Sequence, residues 1–418
     1  MKKGKHCKAP IKKTKKQKAE SIDIRSHSNP QLMLATRIVG AVQLLIMLAG
    51  ITYISFLHLL PIKFLIILAL LILIITALHI VLIETKTRKI ILKITSIVLS
   101  VIVSVVAIYG SILLGTFHNS INNLPMDDDT VNTQKADVTN QPFIVYLSGL
   151  DTRGSGEIKD KGLSDVNMVV AINPTTKKVL MVNIPRDYYV GLEGNPNKLD
   201  KLTHAGNYGI NCSISTLEAL FDTKFNYYVK VNFKSVVDIV DALGGVTVNS
   251  DFNFSSKHSF SGKVYKFTKG ENKLEGDAAL AFARERKSFQ YGDRQRGIHQ
   301  QKVISAIFNK VISPSMLNPA KINDVLTAIT SNIKTNISSS EISSLVQMQL
   351  SDMASWDIQT YSVDGTGASR STYSAGSQKL SVMIPKMETV ELAKLKISAI
   401  LDPSITVPEE TEEVTTNK

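Results

Sequence analysis

Three uninterrupted apolar runs near the start of this chain limit what it can fold into more than any other feature. Ile38 to Leu60, Ile62 to Ile83 and Ile90 to Leu114 hold almost no interior charge. At ~1.5 Å of rise per helical residue, about 20 apolar residues cross the ~30 Å hydrocarbon layer of a bilayer, so each run is long enough to span it. A secretory leader fits worse, because its apolar stretch is roughly 7–15 residues and stands alone. Three membrane helices are therefore expected over 38–115, leaving most of the 418 residues for one sizeable folded domain.

Lys and Arg in short flanks and loops are retained on the cytoplasmic side. Eleven of them lie between Lys2 and Arg37, opposed by Glu20 and Asp23. The first turn, around Pro61, has only Lys63 nearby, whereas the second carries Lys86, Arg88, Lys89 and Lys93. The expected path is in, out, in, out. It gives a basic cytoplasmic tail over 1–37, a multi-pass anchor in the cell membrane, and an extracellular domain. The net charge of +12 belongs mostly to the tail. A topology signal that also touches anionic headgroups explains the tail better than a nucleic-acid arm, since it has neither a helix-turn-helix pattern nor interleaved aromatics. Cys7 and Cys212 fall on opposite sides of the membrane, which excludes a disulfide between them and a thiolate metal cluster.

The stretch 116–141, with Pro125 and the acids Asp127, Asp128 and Asp129, lacks apolar periodicity and is expected to be a solvated linker. The folded domain, 142–402, opens on FIVYLSGL, a buried-strand pattern. DVNMVVAIN and KKVLMVNI should pair as a hairpin about Asn173 to Thr176. ISTLEALF has helical spacing, YYVKVNF is strand-like, and FKSVVDIVDALGG is a helix stopped by Gly244 and Gly245. VTVNSDFNF alternates as one strand. Helices are expected over Leu274 to Arg286, from Arg294 onward, and over Asn318 to Asn332, Ser338 to Leu350 and Glu388 to Ile400, with a strand at Ile358 to Val363. This mixture predicts an α/β (α+β) sandwich, a mixed central sheet flanked by helices. The acidic end, 403–418, is expected to be disordered.

The sequence has no P-loop, no G-x-S-x-G elbow and no HExxH. What it offers instead is acids and arginines at strand and helix ends: Asp151 and Arg153, Asp165, Arg186 and Asp187, Arg284 and Arg286, Arg294 and Arg296. Asp151 and Asp165 each stand beside a predicted strand, so both can reach one face of the sheet and share a hard cation such as Mg²⁺. Each alone is more often a turn or cap residue. A planar, permanently charged guanidinium suits phosphate oxygens, and the arginine set together favours an anionic phosphate site.

YLSGLDTRG, LSDVNMVVAINPTTKKVLMVNIPRDYYV, FKSVVDIVDALGGVTV, KGENKLEGDAALAFARERK and GDRQRGIHQQKV, taken in order from Phe143 to about Ile400, resemble the LytR-CpsA-Psr family of Gram-positive cell-envelope proteins. The basic tail and three spans are similar to its streptococcal-type members. The resemblance implies a phosphotransferase that moves an anionic glycopolymer, teichoic acid or capsular polysaccharide, from undecaprenyl pyrophosphate to peptidoglycan through a phosphodiester. It implies Asp151, Asp165 and Arg186 as catalytic and Asp151 and Asp165 as ligands of Mg²⁺ or Mn²⁺. It also implies Arg153, Arg186, Arg284, Arg286, Arg296 and Gln300 as the pyrophosphate-binding set. Leu163 and His299 depart from the family, where many members have Arg, and Arg153, Lys161 and Arg294 are the candidates to replace that charge.

The rival readings are a membrane-bound regulator of envelope gene expression that works through the basic tail and a noncatalytic polyprenyl-phosphate binder. Deleting Met1 to Ser28 should leave polymer attachment unchanged in a complementation assay, with membrane orientation checked by protease accessibility. Loss of attachment in a correctly inserted chain would favour the regulator.

Overall fold

The computed structural model describes residues 30–84, 90–123, 133–150, 158–257, 262–313 and 319–407. Asp151, Arg153 and the acidic end beyond 407 lie outside these residues. Three long helices come first, α1 (Pro30–Phe56), α2 (Ile62–Glu84) and α3 (Ile90–Asn122), each long and apolar enough to cross a membrane. The chain divides into two compact units, one from the residues up to Gly50 with Leu68–Ile108, the other from Ile51–Ile67 with the remainder.

The first unit is polar inside and apolar outside. Leu45, Ile91 and Val106 are exposed, while His79 is buried. His79 Nδ1 lies 3.0 Å from the Ser96 hydroxyl and 2.9 Å from that of Ser100, and its Nε2 lies 3.2 Å from the Thr36 carbonyl oxygen. In lipid an apolar exterior costs nothing, and interhelical hydrogen bonds hold helices that hydrophobic burial cannot.

The second unit continues through β1 (Phe143–Leu150), β2 (Ser164–Asn173), β3 (Lys178–Ile184), β4 (Tyr189–Gly191), β5 (Leu199–Lys201), α4 (Leu202–Ala205) and α5 (Ile210–Phe221). Then come β6 (Tyr227–Asn232), α6 (Phe233–Ala242), β7 (Val246–Ser250), β8 (Phe254–Lys257), β9 (Val264–Phe267), β10 (Gly270–Leu274), α7 (Gly276–Arg284) and α8 (Gly292–Val311). The rest is α9 (Pro319–Asn332), β11 (Ile333–Thr335), α10 (Ser339–Asp352), β12 (Asp357–Ser362), β13 (Gly365–Ser371), β14 (Lys379–Pro385) and α11 (Met387–Leu401).

The central sheet is mixed, ordered β11-β6-β1-β2-β3-β12, with β1 parallel to β6 and β3 parallel to β12. Alternate residues serve its two faces, as the period of two requires. Tyr146, Val169, Leu180 and Val182 pack under Ile214 and Leu217 of α5 and Val390 and Ile397 of α11. Met168, Val179 and Met181 point the other way, toward Ile304 and Phe308 of α8. The α/β sandwich expected from the sequence is therefore present. A second core, around Phe254, Phe267 and Phe282, joins α6 and α7 to the β7–β10 pair and the β8–β9 hairpin.

The β2–β3 hairpin forms as expected, its turn held by the Asn173 side chain, which accepts from the amides of Thr175 and Thr176. The α6 helix ends where Gly244 and Gly245 adopt left-handed φ of 71° and 87° and return their amides to the carbonyls of Asp241 and Val240. Three expectations need correction. VTVNSDFNF forms two strands, β7 and β8, because Asp251–Asn253 breaks the alternation. The helix expected to reach Arg286 stops at Arg284, where Glu285 turns extended. The 116–141 linker is partly structured: α3 runs to Asn122, and Val138 is buried against Phe143 and Tyr227. Ile121 likewise packs with Leu57 and Leu59 against Leu326, Ile329 and Ile342.

At the N-terminus of α6 the buried Asn232 accepts from the Ser235 amide at 2.8 Å, and the Ser235 hydroxyl in turn accepts from the Asn232 amide at 2.9 Å. Asn232→Ala removes this reciprocal cap at a cost of about 1–2 kcal/mol. The thermal midpoint of the solubilised chain should fall by about 2–4 °C for each kcal/mol, and an unchanged midpoint would show the cap to be dispensable.

Candidate functional site

The site sits where β2 begins and β3 ends. Antiparallel pairing sets Asn167 opposite Ile184, so Asp165 and Arg186, distant in sequence, become neighbours. Arg186 Nη1 donates to Asp165 Oδ1 at 2.9 Å, and both side chains are half-buried. The start of β2 is fixed by a buried polar network. Ser164 and Ser148 hydroxyls are 2.8 Å apart, Tyr146 donates to Asn167 Oδ1 at 2.6 Å, and Asn167 Nδ2 donates to the Ser164 carbonyl at 3.1 Å. The β1–β2 register shifts between Gly149 and Leu150, beside Asp165. The Arg186 carbonyl accepts from the Thr203 amide at 2.9 Å, which pins the turn that carries it.

The amino end of α8 reaches this point because Gly297 has no side chain. A Cβ there would lie 2.3 Å from Asn183 Nδ2 at the end of β3. A Cβ on Gly292 would meet the Arg286 carbonyl oxygen at 1.9 Å, so the turn from Arg286 into α8 is equally tight. These close approaches bring Arg296 to Arg186. Arg296 is mostly buried and pairs with Asp293 Oδ1 at 3.0 Å. Burial lowers the pKa of its guanidinium, the positive charges of Arg186 and Arg286 add to that, and Asp293 and Asp165 oppose it. Arg186 goes the other way. Burial disfavours its charge, but the Asp165 hydrogen bond and the charges of Asp165, Asp187 and Asp293 outweigh burial and raise its pKa. Arg186 and Arg296 thus lie together beside the carboxylates of Asp165 and Asp293.

The other expected residues differ in their surroundings. Arg284 closes α7 with its guanidinium carbon 4.0 Å from the Phe233 ring centroid, a cation–π contact. Arg286 is exposed in the turn beyond the helix, so the two arginines are separated by the helix end and do not share a helical face. Gln300 is buried on α8. Asp187 pairs with Lys201 Nζ at 2.9 Å. Arg294 is exposed and leans on Asp364 at 3.4 Å, and Leu163 is an exposed apolar side chain. His299 is enclosed by Phe254, Phe282 and Phe289, with Nδ1 3.2 Å from the Phe282 carbonyl oxygen. It is a satisfied core histidine and does not replace an arginine at the anion site.

Sequence reasoning missed Asp293, Lys201, Phe233 and the Ser148–Ser164–Asn167 network. Only Asp293 left a signal, three residues before Arg296 on the same helix. For a metal, Asp165 is the one described member of the expected pair. Among the described residues no group of three or more His, Cys, Asp or Glu converges. Asp165 is one of the one or two carboxylates through which Mg²⁺ would be held, with water and substrate phosphate completing its shell.

The LytR_cpsA_psr family profile matches residues 115–392. The chain is 36% identical over 251 residues to a polyisoprenyl-teichoic acid–peptidoglycan teichoic acid transferase, TagU, of Bacillus mycoides, covering 58% of this chain and 78% of that protein. Its structure is similar to that of B. subtilis TagV, with a TM-score of 0.52 and 29% identity over 63% of this chain and 98% of that one. It is also similar to TagT bound to LI-WTA, with a TM-score of 0.50 and 26% identity over 64% and 94% of the two chains.

Burial lowers the His299 pKa from the usual 6.5 to about 4. The unfolded chain therefore binds a proton that the folded chain refuses, so His299 favours folding fully above pH 6.5 and progressively less down to about 4. The difference amounts to roughly 3 kcal/mol. Thermal midpoints between pH 7.5 and 4.5 should fall less steeply in His299→Gln than in wild type, and parallel curves would contradict this.

Proposed function

The chain belongs to the LytR-CpsA-Psr family, and we propose that it works as a glycopolymer transferase through the paired Asp165 and Arg186 at the head of the β2–β3 hairpin. The reaction moves a polyprenyl-linked glycopolymer to peptidoglycan, and the relatives' names favour a teichoic-acid-type polymer. The observation that carries this reading is the 2.9 Å contact between a half-buried carboxylate and an arginine, with Arg296 beside them.

In the transfer a peptidoglycan hydroxyl oxygen bonds to the polymer's phosphorus. The phosphorus–oxygen bond to the lipid phosphate breaks, and polyprenyl phosphate leaves with the electron pair. Arg186 and Arg296 bind the phosphate oxygens and balance charge that grows on the leaving group. Asp165 orients Arg186 and, once the substrate has engaged that arginine, accepts the proton of the attacking hydroxyl. Arg286, exposed at the rim, draws the anionic substrate in. Mg²⁺, held by Asp165 and the substrate phosphates, would supply further charge neutralisation. The carrier in this reading is undecaprenyl pyrophosphate. The cations between Lys2 and Arg37 support a cytoplasmic N-terminus and a domain on the outer side, where peptidoglycan lies. Anchoring by α1–α3 keeps the site close to a lipid substrate.

The test uses the full chain in lipid nanodiscs with a polyprenyl-pyrophosphate-linked sugar, Mg²⁺ and peptidoglycan fragments, and follows the phosphodiester product by mass spectrometry. Asp165→Asn and Arg186→Ala should each lower turnover by about 100-fold or more while the chain stays folded. A wild-type chain that binds the lipid and never turns it over, under varied metals and acceptors, would make it a binder only.

A further inference from the structure

Arg296 rides on α8, which covers the face lined by Met168 and Met181. On the opposite face, beside α5, the turn after α4 carries an exposed tyrosine that the phosphate chemistry leaves unused. Tyr208 is 47% exposed and Tyr373, in the β13–β14 connection, is 51% exposed. Their ring centroids are 6.4 Å apart at 46°, and Lys198 Nζ lies 5.9 Å from the Tyr373 ring centroid.

This pair is built on a buried frame. Asp200 is completely buried, a costly place for a carboxylate unless it is fully bonded. Its Oδ1 lies 2.6 Å from His204 Nδ1, and its Oδ2 accepts from the Ser374 amide at 2.8 Å. The Tyr373 amide donates to the Leu199 carbonyl at 2.8 Å. One acid thereby ties the turn bearing Tyr373 to the segment bearing Tyr208. The trio of Asp200, His204 and Ser374 has the composition of a hydrolase triad and not its geometry. The Ser374 hydroxyl lies 2.8 Å from the same Nδ1 that faces Asp200, so the imidazole cannot relay a proton between them. The frame positions the tyrosines.

The tyrosine-bearing segments are tethered to the site. The Gly162 amide donates to the Gly206 carbonyl at 3.0 Å, three residues before Asp165, and the Thr203 amide binds the Arg186 carbonyl. A Cβ on Gly206 would meet the Gly162 carbonyl oxygen at 2.2 Å, so the contact admits no larger residue. Tyrosine rings held in place offer apolar faces with hydroxyl edges at little entropic cost. A pyranose matches them, with a C–H face edged by hydroxyls. In-line displacement at phosphorus brings the attacking hydroxyl from the side away from the leaving group. With the leaving phosphate held by Arg296 on the α8 side, the tyrosines stand on the acceptor's side.

We propose that Tyr208 and Tyr373, with Lys198 at their edge, form a platform that seats a pyranose ring of the acceptor peptidoglycan beside the Asp165–Arg186 site. The assignment of the ring to the acceptor rests on the transferase reading given above.

The experiment measures transfer by the full chain in nanodiscs while muramidase-released peptidoglycan fragments and the lipid-linked donor are varied separately. The Tyr208→Ala, Tyr373→Ala double variant should raise the KM for fragments about tenfold or more and leave the donor KM within about twofold. Tyr373→Phe should restore most of the loss. An unchanged fragment KM, or a rise confined to the donor, overturns the proposal. Saturation-transfer NMR of the fragments with the same proteins reads binding without turnover. Tyrosine-dependent contact in a chain that transfers nothing keeps the platform and removes the transferase reading, and wild-type turnover with no such contact removes the platform.

Discussion

The antiparallel pairing of β2 with β3 is the contact on which the site depends. It places Asp165 and Arg186 side by side and buries alternate residues of both strands in two different cores. A one-residue slip would turn Val169 and Met168 to the wrong faces and part the ion pair together with them. Specificity of register and assembly of the site are therefore one property. Asn173, bonded to the turn amides and, through Nδ2, to the Ile400 carbonyl at 2.9 Å, locks the turn of this hairpin to α11.

The charged centre is stable because opposite charges interleave. Asp165, Asp187 and Asp293 lie among Arg186, Lys201 and Arg296, and each half-buried cation has a carboxylate within reach. That balance is incomplete at Arg296, where burial and two neighbouring arginines oppose its charge.

Much of this was legible along the chain. The three apolar helices, the β2–β3 hairpin, α6 with its glycine stop and the helical run from α8 follow from periodicity and local end signals, because those forces act within a few residues. The small β4–β5 and β13–β14 hairpins were not, since strands of three residues or with little apolar patterning, such as Gly365–Ser371, carry no period to detect. The end of α7 at Arg284 was also hidden: nothing in ARERK marks it, and the tight turn into Gly292 decides it.

The arginines and acids of the site were visible as residue types at element ends, but their partners were not. Which carboxylate meets which guanidinium is fixed by contacts between segments far apart in sequence, and no local rule encodes them. His299 shows the same limit. It stands where many family members have arginine, and the ring of Phe254, Phe282 and Phe289 makes it core. By itself the sequence determined the membrane helices, the sandwich class and the inventory of charge, because length, period and composition are one-dimensional quantities. Tertiary structure alone decided that Asp165 faces Arg186, that Asp293 faces Arg296 and that Tyr208 lies by Tyr373, because proximity in space is set by how the layers pack.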